Sequence, residues 1–332
     1  MRILVTGGAG FIGSNLIHYL HDQYPNVDIL NLDKLTYASD LSRLESIRNT
    51  NRYTFKKVDL VDREAVRKII SKFKPEGVYH LAAESHVDNS ITGPEPFVLS
   101  NVVGTFNLLE ECKQHWEQEG DALGNFRFLH VSTDEVYGTL GDEGYFSEET
   151  PYAPNSPYSA TKASSDFLVR AYHHTYGMNV VTTNCSNNFG RFQHDEKLIP
   201  TVIRNAMEHI PIPVYGKGKN VRDWLYVQDH CRALDLAFRE GKPGETYTIG
   251  GDNEWKNIDL VHAICEILNQ EVGEGPEGDY KNLIEFVTDR PGHDYRYAID
   301  ATKIKEELGW QPSQDFKAKL LETVQWYIQR YR

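Results

Sequence analysis

The sequence is short of cysteine, of basic charge and of long apolar runs. It has 4 cysteines in 332 residues: Cys112, Cys185, Cys231 and Cys265. They stand far apart and form no C-x-x-C pair, which argues against a disulfide framework or a zinc site, and no metal is expected. Free thiols fit a reducing, cytoplasmic setting. Lys and Arg number 35 against 48 Asp and Glu, a net charge of −13. A nucleic-acid binder needs a basic face, so that partner class is set aside. Small anionic ligands are not, because a few local cations suffice to hold them. No stretch approaches the ~18 apolar residues of a membrane span, so no membrane partner is expected. The apolar run at residues 1–6 is too short for a signal-peptide core. There is no internal repeat and no low-complexity segment. What remains is 40% hydrophobic and 25% charged, near a globular average. The length allows one large or two modest domains with a real core.

Strand and helix patterns alternate through the first half. Residues 2–6, 27–33, 53–59, 77–83 and 126–133 read as strands. Helical periodicity follows from Ile12 through Leu20, over 62–73, and over roughly 96–116. A longer helix is expected from Pro157 to just before Gly177, since proline suits a first turn and glycine a C-terminal cap. Residues 180–184 read as another strand. This order implies an α/β fold, a Rossmann-type doubly wound parallel sheet. Beyond Gly190 the alternation weakens. Residues 211–216 and 272–279 look like loops, and 260–268 and 320–327 look helical. The expected division is a cofactor domain over 1–189 and a smaller mixed C-terminal substrate lobe over 190–332. The chain is expected to re-enter the first domain near 222–240.

Gly7, Gly10 and Gly13 form G-x-x-G-x-x-G between the first strand and the first helix. Glycine lets the backbone approach a pyrophosphate, and the helix start, at Phe11 and Ile12, offers free N–H groups and a positive dipole end. Asp33 ends the next strand twenty residues after Gly13. A carboxylate there binds the adenosine ribose hydroxyls and repels a 2′-phosphate, which favours NAD over NADP. Lys34 and Thr36 follow it on the cofactor side. Asp59 and Leu60 end the third strand and flank the adenine. Leu81, Ala82 and Ala83 end the fourth, where small residues let a cofactor lie across the sheet edge.

Tyr158 and Lys162 form Y-x-x-x-K, which puts both on one helix face. A lysine beside a phenol is expected to lower the phenol's pKa, making it a base for a substrate alcohol. Lysine also suits the nicotinamide ribose. Thr133, Asp134 and Glu135 end the fifth strand, where open parallel sheets place ligands. A hydroxyl there polarises the same alcohol. Two adjacent acids suggest further proton chemistry, one donating and one accepting, which requires their pKa values to be pushed apart.

With these residues in view, the chain resembles the extended short-chain dehydrogenase/reductase superfamily. Within it, it looks most like the dTDP-glucose 4,6-dehydratase family. The likeness covers nearly the whole chain. It includes residues 83–88 (AESHVD), 196–200 (EKLIP), 220–224 (NVRDW) and 289–294 (DRPGHD). Sugar-nucleotide 4-epimerases share the glycines and the Tyr/Lys pair but usually carry small residues at the acid pair. The resemblance implies an NAD-dependent hydro-lyase acting on dTDP-glucose. Tyr158 takes the C4 hydroxyl proton, Thr133 bonds that oxygen, Glu135 removes the C5 proton and Asp134 protonates the departing C6 hydroxyl. It further implies that Ser85 and His86 line the substrate pocket, that Ser100 and Asn188 touch the cofactor, and that Asn187 meets the substrate diphosphate. Lys197, Leu198, Pro213, Val214 and Tyr215 would surround the nucleotide end. Arg222 and His293 would meet the diphosphate, with Asn257 and Arg290 close by; arginine's planar fork suits phosphate oxygens. The family is commonly dimeric through helices, so a homodimer is expected.

The chain departs from that family at residues 190–195 (GRFQHD), where Gly-Pro-Tyr-Gln-x-Pro is common, and at Tyr295, where arginine is frequent. Both departures fall near the substrate lobe. The alternatives are a 4,6-dehydratase for CDP-glucose or UDP-GlcNAc, a 4-epimerase, and an NAD-sensing binding protein on a degenerate enzyme fold.

Overall fold

The computed structural model describes residues 1–120 and 126–332. In chain order, β1 (Arg2–Thr6) leads into α1 (Phe11–Gln23), β2 (Asp28–Asp33), β3 (Tyr53–Lys57), α2 (Arg63–Phe73) and β4 (Gly77–His80). Two short helices follow, α3 (Val87–Thr92) and α4 (Glu95–Phe97). The second runs through a π-turn at Val98–Val103 into α5 (Gly104–Glu119). Then come β5 (Arg127–Thr133), α6 (Pro157–Tyr176), β6 (Val180–Cys185) and β7 (Asn187–Phe189). The remainder is α7 (Leu198–Met207), β8 (Ile212–Tyr215), β9 (Val221–Tyr226), α8 (Val227–Glu240), β10 (Thr246–Ile249), β11 (Glu254–Lys256), α9 (Asn257–Val272), β12 (Ile284–Val287), α10 (Thr302–Leu308) and α11 (Phe316–Tyr331).

Seven parallel strands form the main sheet in the order β10-β6-β5-β4-β1-β2-β3. Period-two alternation sends Ile3 and Val5 of β1 to one core and Leu4 to the other, so helices cover both faces. The strand order reverses between β1 and β4, which opens a crevice at the carboxyl ends of the strands. After β6 the chain leaves this sheet. A three-stranded sheet, β11-β9-β7, and a two-stranded pair, β12-β8, lie over that end with their own core around Ile203, Leu260 and Val324.

Local chemistry sets α6. Ser156 caps it, with reciprocal bonds to Ser159, Pro157 begins it, and Gly177 ends it in the left-handed region at φ 70°. Loss of such a cap costs about 1 kcal/mol.

The structure differs from the sequence reading in three places. Residues 211–216, expected as a loop, contain β8, which pairs with β12. Its alternation is only four residues long, with Ile212 and Val214 inward, and Pro213 within it and Pro211 before it mask it. The segment expected as one helix over 96–116 runs from Glu95 to Glu119 and carries the π-turn. The stretch 222–240 divides: β9 belongs to the three-stranded sheet, whereas α8 packs on α1, β5 and β6 and leads to the sheet edge at β10.

Candidate active site

A cleft of about 310 Å³ runs along the carboxyl ends of the main sheet. Its floor is the glycine turn. Gly7 has φ 71°, and a Cβ there would stand 2.7 Å from the Ala82 nitrogen. A Cβ on Gly13 would stand 2.2 Å from the Gly7 carbonyl. At Gly10 such an atom meets only the Gly7 carbonyl at 3.1 Å, so that position opens toward the cleft. Gly10 also begins α1 with no side-chain cap and no acid in the first turn. The first N–H groups of α1 are therefore left for a ligand anion. Phe11 and Ile12 line the same wall.

Asp33 ends β2 beside this turn. One oxygen accepts from Ala9 N at 3.0 Å, and the other accepts from Leu35 N and Ser39 Oγ, both at 2.8 Å. The carboxylate is thus fixed on the cleft wall and fits a ribose diol better than a 2′-phosphate. Lys34 donates to Ser100 Oγ at 2.6 Å and pairs with Glu84 at 2.8 Å. Thr36, Asp59, Leu60, Leu81, Ala82, Ala83 and Asn188 complete this half of the lining. Asn188 is held by His230, whose Nδ1 lies 2.8 Å from its Oδ1.

The other half is built from the end of β5 and the start of α6. Thr133, Asp134, Glu135, Tyr158 and Lys162 all face the cleft. Burial pushes Asp134 well above the usual carboxyl range, and Glu135 and Asp223 add repulsion. Burial also raises Glu135, but Arg222, Lys197 and Arg290 oppose the shift. The surroundings of the two acids differ, carboxylates acting on Asp134 and cations on Glu135, the kind of difference that sets an acid apart from a base. Asp223 itself is pushed up to about 6 by burial, although Gly251 and Asn253 donate to it.

The Tyr158–Lys162 expectation needs correction. Lys162 Nζ donates to the Val131 carbonyl at 2.9 Å. Tyr158 is raised well above its ordinary value, by burial first and by Glu135 next, with the Thr133 hydroxyl opposing. Burial lowers Lys162, with Asp166 and Cys185 opposing. Shared helix face does not by itself make a phenolate when both groups are desolvated.

On the far side, Ser85, Asn187 and Lys197 line the cleft, and Lys197 Nζ donates to the Ser85 carbonyl at 3.3 Å. His86 lies 3.6 Å from Glu196. Tyr215, Arg290 and His293 gather around Asp88 and Asp289. Tyr215 OH donates to Asp88 at 3.4 Å, Arg290 pairs with Asp88 at 3.4 Å and covers the Tyr215 ring, and His293 bonds Asp289 at 2.6 Å.

The chain is similar to known proteins along nearly its whole length. A family model described as GDP-mannose 4,6 dehydratase matches residues 4–323. A dTDP-glucose 4,6-dehydratase of Salmonella typhimurium is 52% identical over 99% of this chain and 93% of its own. A probable dTDP-glucose 4,6-dehydratase of Sinorhizobium fredii is 53% identical over the same shares. The chain belongs to the dTDP-glucose 4,6-dehydratase family. The solved enzyme of Bacillus anthracis, in complex with NAD, superposes with a TM-score of 0.88 at 45% identity and covers 99% of this chain and 97% of its own. A UDP-glucose 4-epimerase of Thermotoga maritima shares the fold at a TM-score of 0.87 but only 26% identity, each chain fully covered.

For a member of this family, the remaining positions divide as follows. Leu198 packs on the outer core, Pro213 is exposed on β8, and Asn257 opens α9 with a buried, unpartnered Oδ1. Arg222 is 7% exposed and already donates to the carbonyls of Val221, Asp294 and Tyr295. None of these four lines the cleft, nor do His86, Tyr215, Arg290 and His293. Conversely, Ser132, Cys185, Ser186, Gln193, His194 and Glu196 line it without having been singled out. Glu196 gathers Tyr37, His86, His194 and Lys197 within 4 Å. The one available signal was its place before Lys197 in the quoted EKLIP stretch.

Proposed function

We propose that the protein converts dTDP-glucose to dTDP-4-keto-6-deoxyglucose and water, with NAD as its resident cofactor. The observation that carries this reading is the acid pair, Asp134 buried and Glu135 half-buried, in one cleft with Tyr158 and Thr133. A 4-epimerase has no elimination for two acids to perform.

The α1 N-terminus and Gly10 hold the cofactor's pyrophosphate, Asp33 its adenosine ribose, and Lys162 its second ribose. NAD, when bound there, would supply a hydride acceptor for C4 and a hydride donor for C6, and in its oxidised form positive charge. Tyr158 takes the C4 hydroxyl proton while Thr133 bonds that oxygen. Lys162, seated on the Val131 carbonyl, adds the resident cation on the Tyr158 helix. The 4-ketone acidifies C5–H. Glu135, whose charge Arg222, Lys197 and Arg290 favour, removes that proton. Asp134, kept protonated by burial and by two carboxylates, donates to the C6 hydroxyl, which leaves as water. The Glu135 proton then returns to C5.

The nucleotide end lies toward Ser85, Asn187, Lys197 and the Tyr215–Arg290–His293 cluster, with Arg222 behind it. The working division is a cofactor domain over 1–189 that regains the chain with α8 and β10, and a substrate lobe over most of 190–332. The chain acts as a homodimer. Val98, Leu99 and Phe106 before and on α5, with Phe167 and Tyr176 on the adjacent α6, are 38–58% exposed and suit a helix–helix interface. Its four cysteines are buried and free, which suits the cytoplasm.

Incubation of the purified protein with dTDP-glucose should yield a product lighter by one water. CDP-glucose and UDP-GlcNAc run alongside should react far more slowly. No water loss from dTDP-glucose, or a galactose isomer instead, would overturn the reading.

A further inference from the structure

Behind the cleft wall lies a polar cluster that the reaction as assigned does not use. Asp166 sits one helical turn beyond Lys162 on α6 and is 4% exposed. One carboxylate oxygen lies 3.0 Å from His130 Nε2. The other accepts from Ser132 Oγ at 2.8 Å, Tyr152 OH at 2.9 Å and Asn184 Nδ2 at 3.3 Å. These partners come from β5, from the loop before α6 and from β6.

A buried carboxylate is costly unless donors satisfy it, and here one takes partners from three separate segments. Their placement is informative. His130 and Ser132 flank Val131, whose carbonyl holds Lys162 at 2.9 Å. Ser132 precedes Thr133, and the amide of Asn184 also donates to the Thr133 carbonyl at 3.1 Å. Asp166 therefore ties α6 to the last turn of β5 on both sides of the carbonyl that seats the lysine. Charge points the same way. The titratable groups facing Lys162 are Asp166 on its own helix, Cys185 on β6, His130 on β5 and His80 on β4. Asp166 is the acidic one, and burial keeps both histidines neutral, His130 down to about 4.

We propose that Asp166 is a positioning residue for the oxidation step: it fixes the β5 carbonyl that seats Lys162 and balances the lysine's buried charge. This rests on the roles given above to Tyr158, Lys162 and Thr133.

The test is kcat and KM against pH for Asp166→Asn, Asp166→Glu and Tyr152→Phe, with Lys162→Met as reference. Asp166→Asn should lower kcat by about 10- to 100-fold, the scale of a small misplacement of a catalytic group, with the KM for dTDP-glucose little changed. Loss of the negative charge favours neutral Lys162, so the alkaline limb of the kcat profile should move to lower pH. Asp166→Glu keeps the charge and should restore the limb. Tyr152→Phe removes one donor and keeps the charge, so kcat should fall with the limb unmoved. Wild-type kcat in Asp166→Asn, or a fall with no movement of the limb, overturns the proposal. If that variant does not fold, wild-type kcat in both Asp166→Glu and Tyr152→Phe overturns it. An active Lys162→Met would instead overturn the underlying assignment.

Discussion

The cleft and the Tyr215–Arg290–His293 cluster beyond its lining, the two halves of the proposed site, are built differently. The cofactor half stands on strand ends and backbone. Gly7 is pressed against Ala82, Asp33 is held by two backbone N–H groups and a hydroxyl, and Lys162 is seated on a carbonyl. The proposed nucleotide half stands on side chains holding side chains, at Arg290–Asp88, Tyr215–Asp88 and His293–Asp289, each with at least one partly exposed partner. Buried backbone contacts resist salt and admit little movement, whereas exposed ion pairs are screened and easily rearranged. On the proposed assignment, chemistry falls on the rigid half and recognition on the adaptable one.

Substitutions can break this contrast, and the largest effect should come from the rigid half. Tyr158→Phe removes the base and should lower kcat/KM by about 10²- to 10⁴-fold, read as product formed per enzyme. Retained turnover would show that another group takes the C4 proton. Glu135→Gln should abolish elimination, by about 10²-fold or more, while reduced cofactor still accumulates on mixing with substrate. Full water loss in that variant refutes its proton role. In the adaptable half, Arg290→Ala should raise KM by about 10-fold and leave kcat near wild type, the scale of one charged hydrogen bond. Added salt should raise the wild-type KM and affect the variant less; equal sensitivity would mean that the ion pairs do not carry recognition.

The smallest effect joins the halves. The proposed role needs Glu135 ionised, and desolvation raises its pKa above the ordinary glutamate value. Activity should therefore be lost as pH falls, at a higher pH than for an ordinary glutamate. Arg222 favours the ionised form, so Arg222→Gln should move this acid limb further up. A limb that stays in place would separate Arg222 from the acid pair.

Much of the rigid half was legible because its signals are local. A strand, a glycine turn and a helix start lie within residues 2–13, and Y-x-x-x-K lies within one helix turn. The outer lobe was legible only in part. The four-residue β8 is too short for periodicity to show, and Glu196 meets Tyr37 and His86, remote in sequence, beside its chain neighbours His194 and Lys197. Asp166 reads as an ordinary helix residue until β5 and β6 bring their donors to it.

The sequence by itself determined the alternating fold, the cofactor turn and the choice of candidate reactive groups, because each is a short-range pattern of residue types. Tertiary structure decided their chemistry. Burial raised both Asp134 and Glu135 while different neighbouring charges act on each, it desolvated Tyr158 and Lys162 together, and a hydrogen bond seats Lys162 on β5. Desolvation depends on everything packed around a group, and no spacing along the chain encodes that.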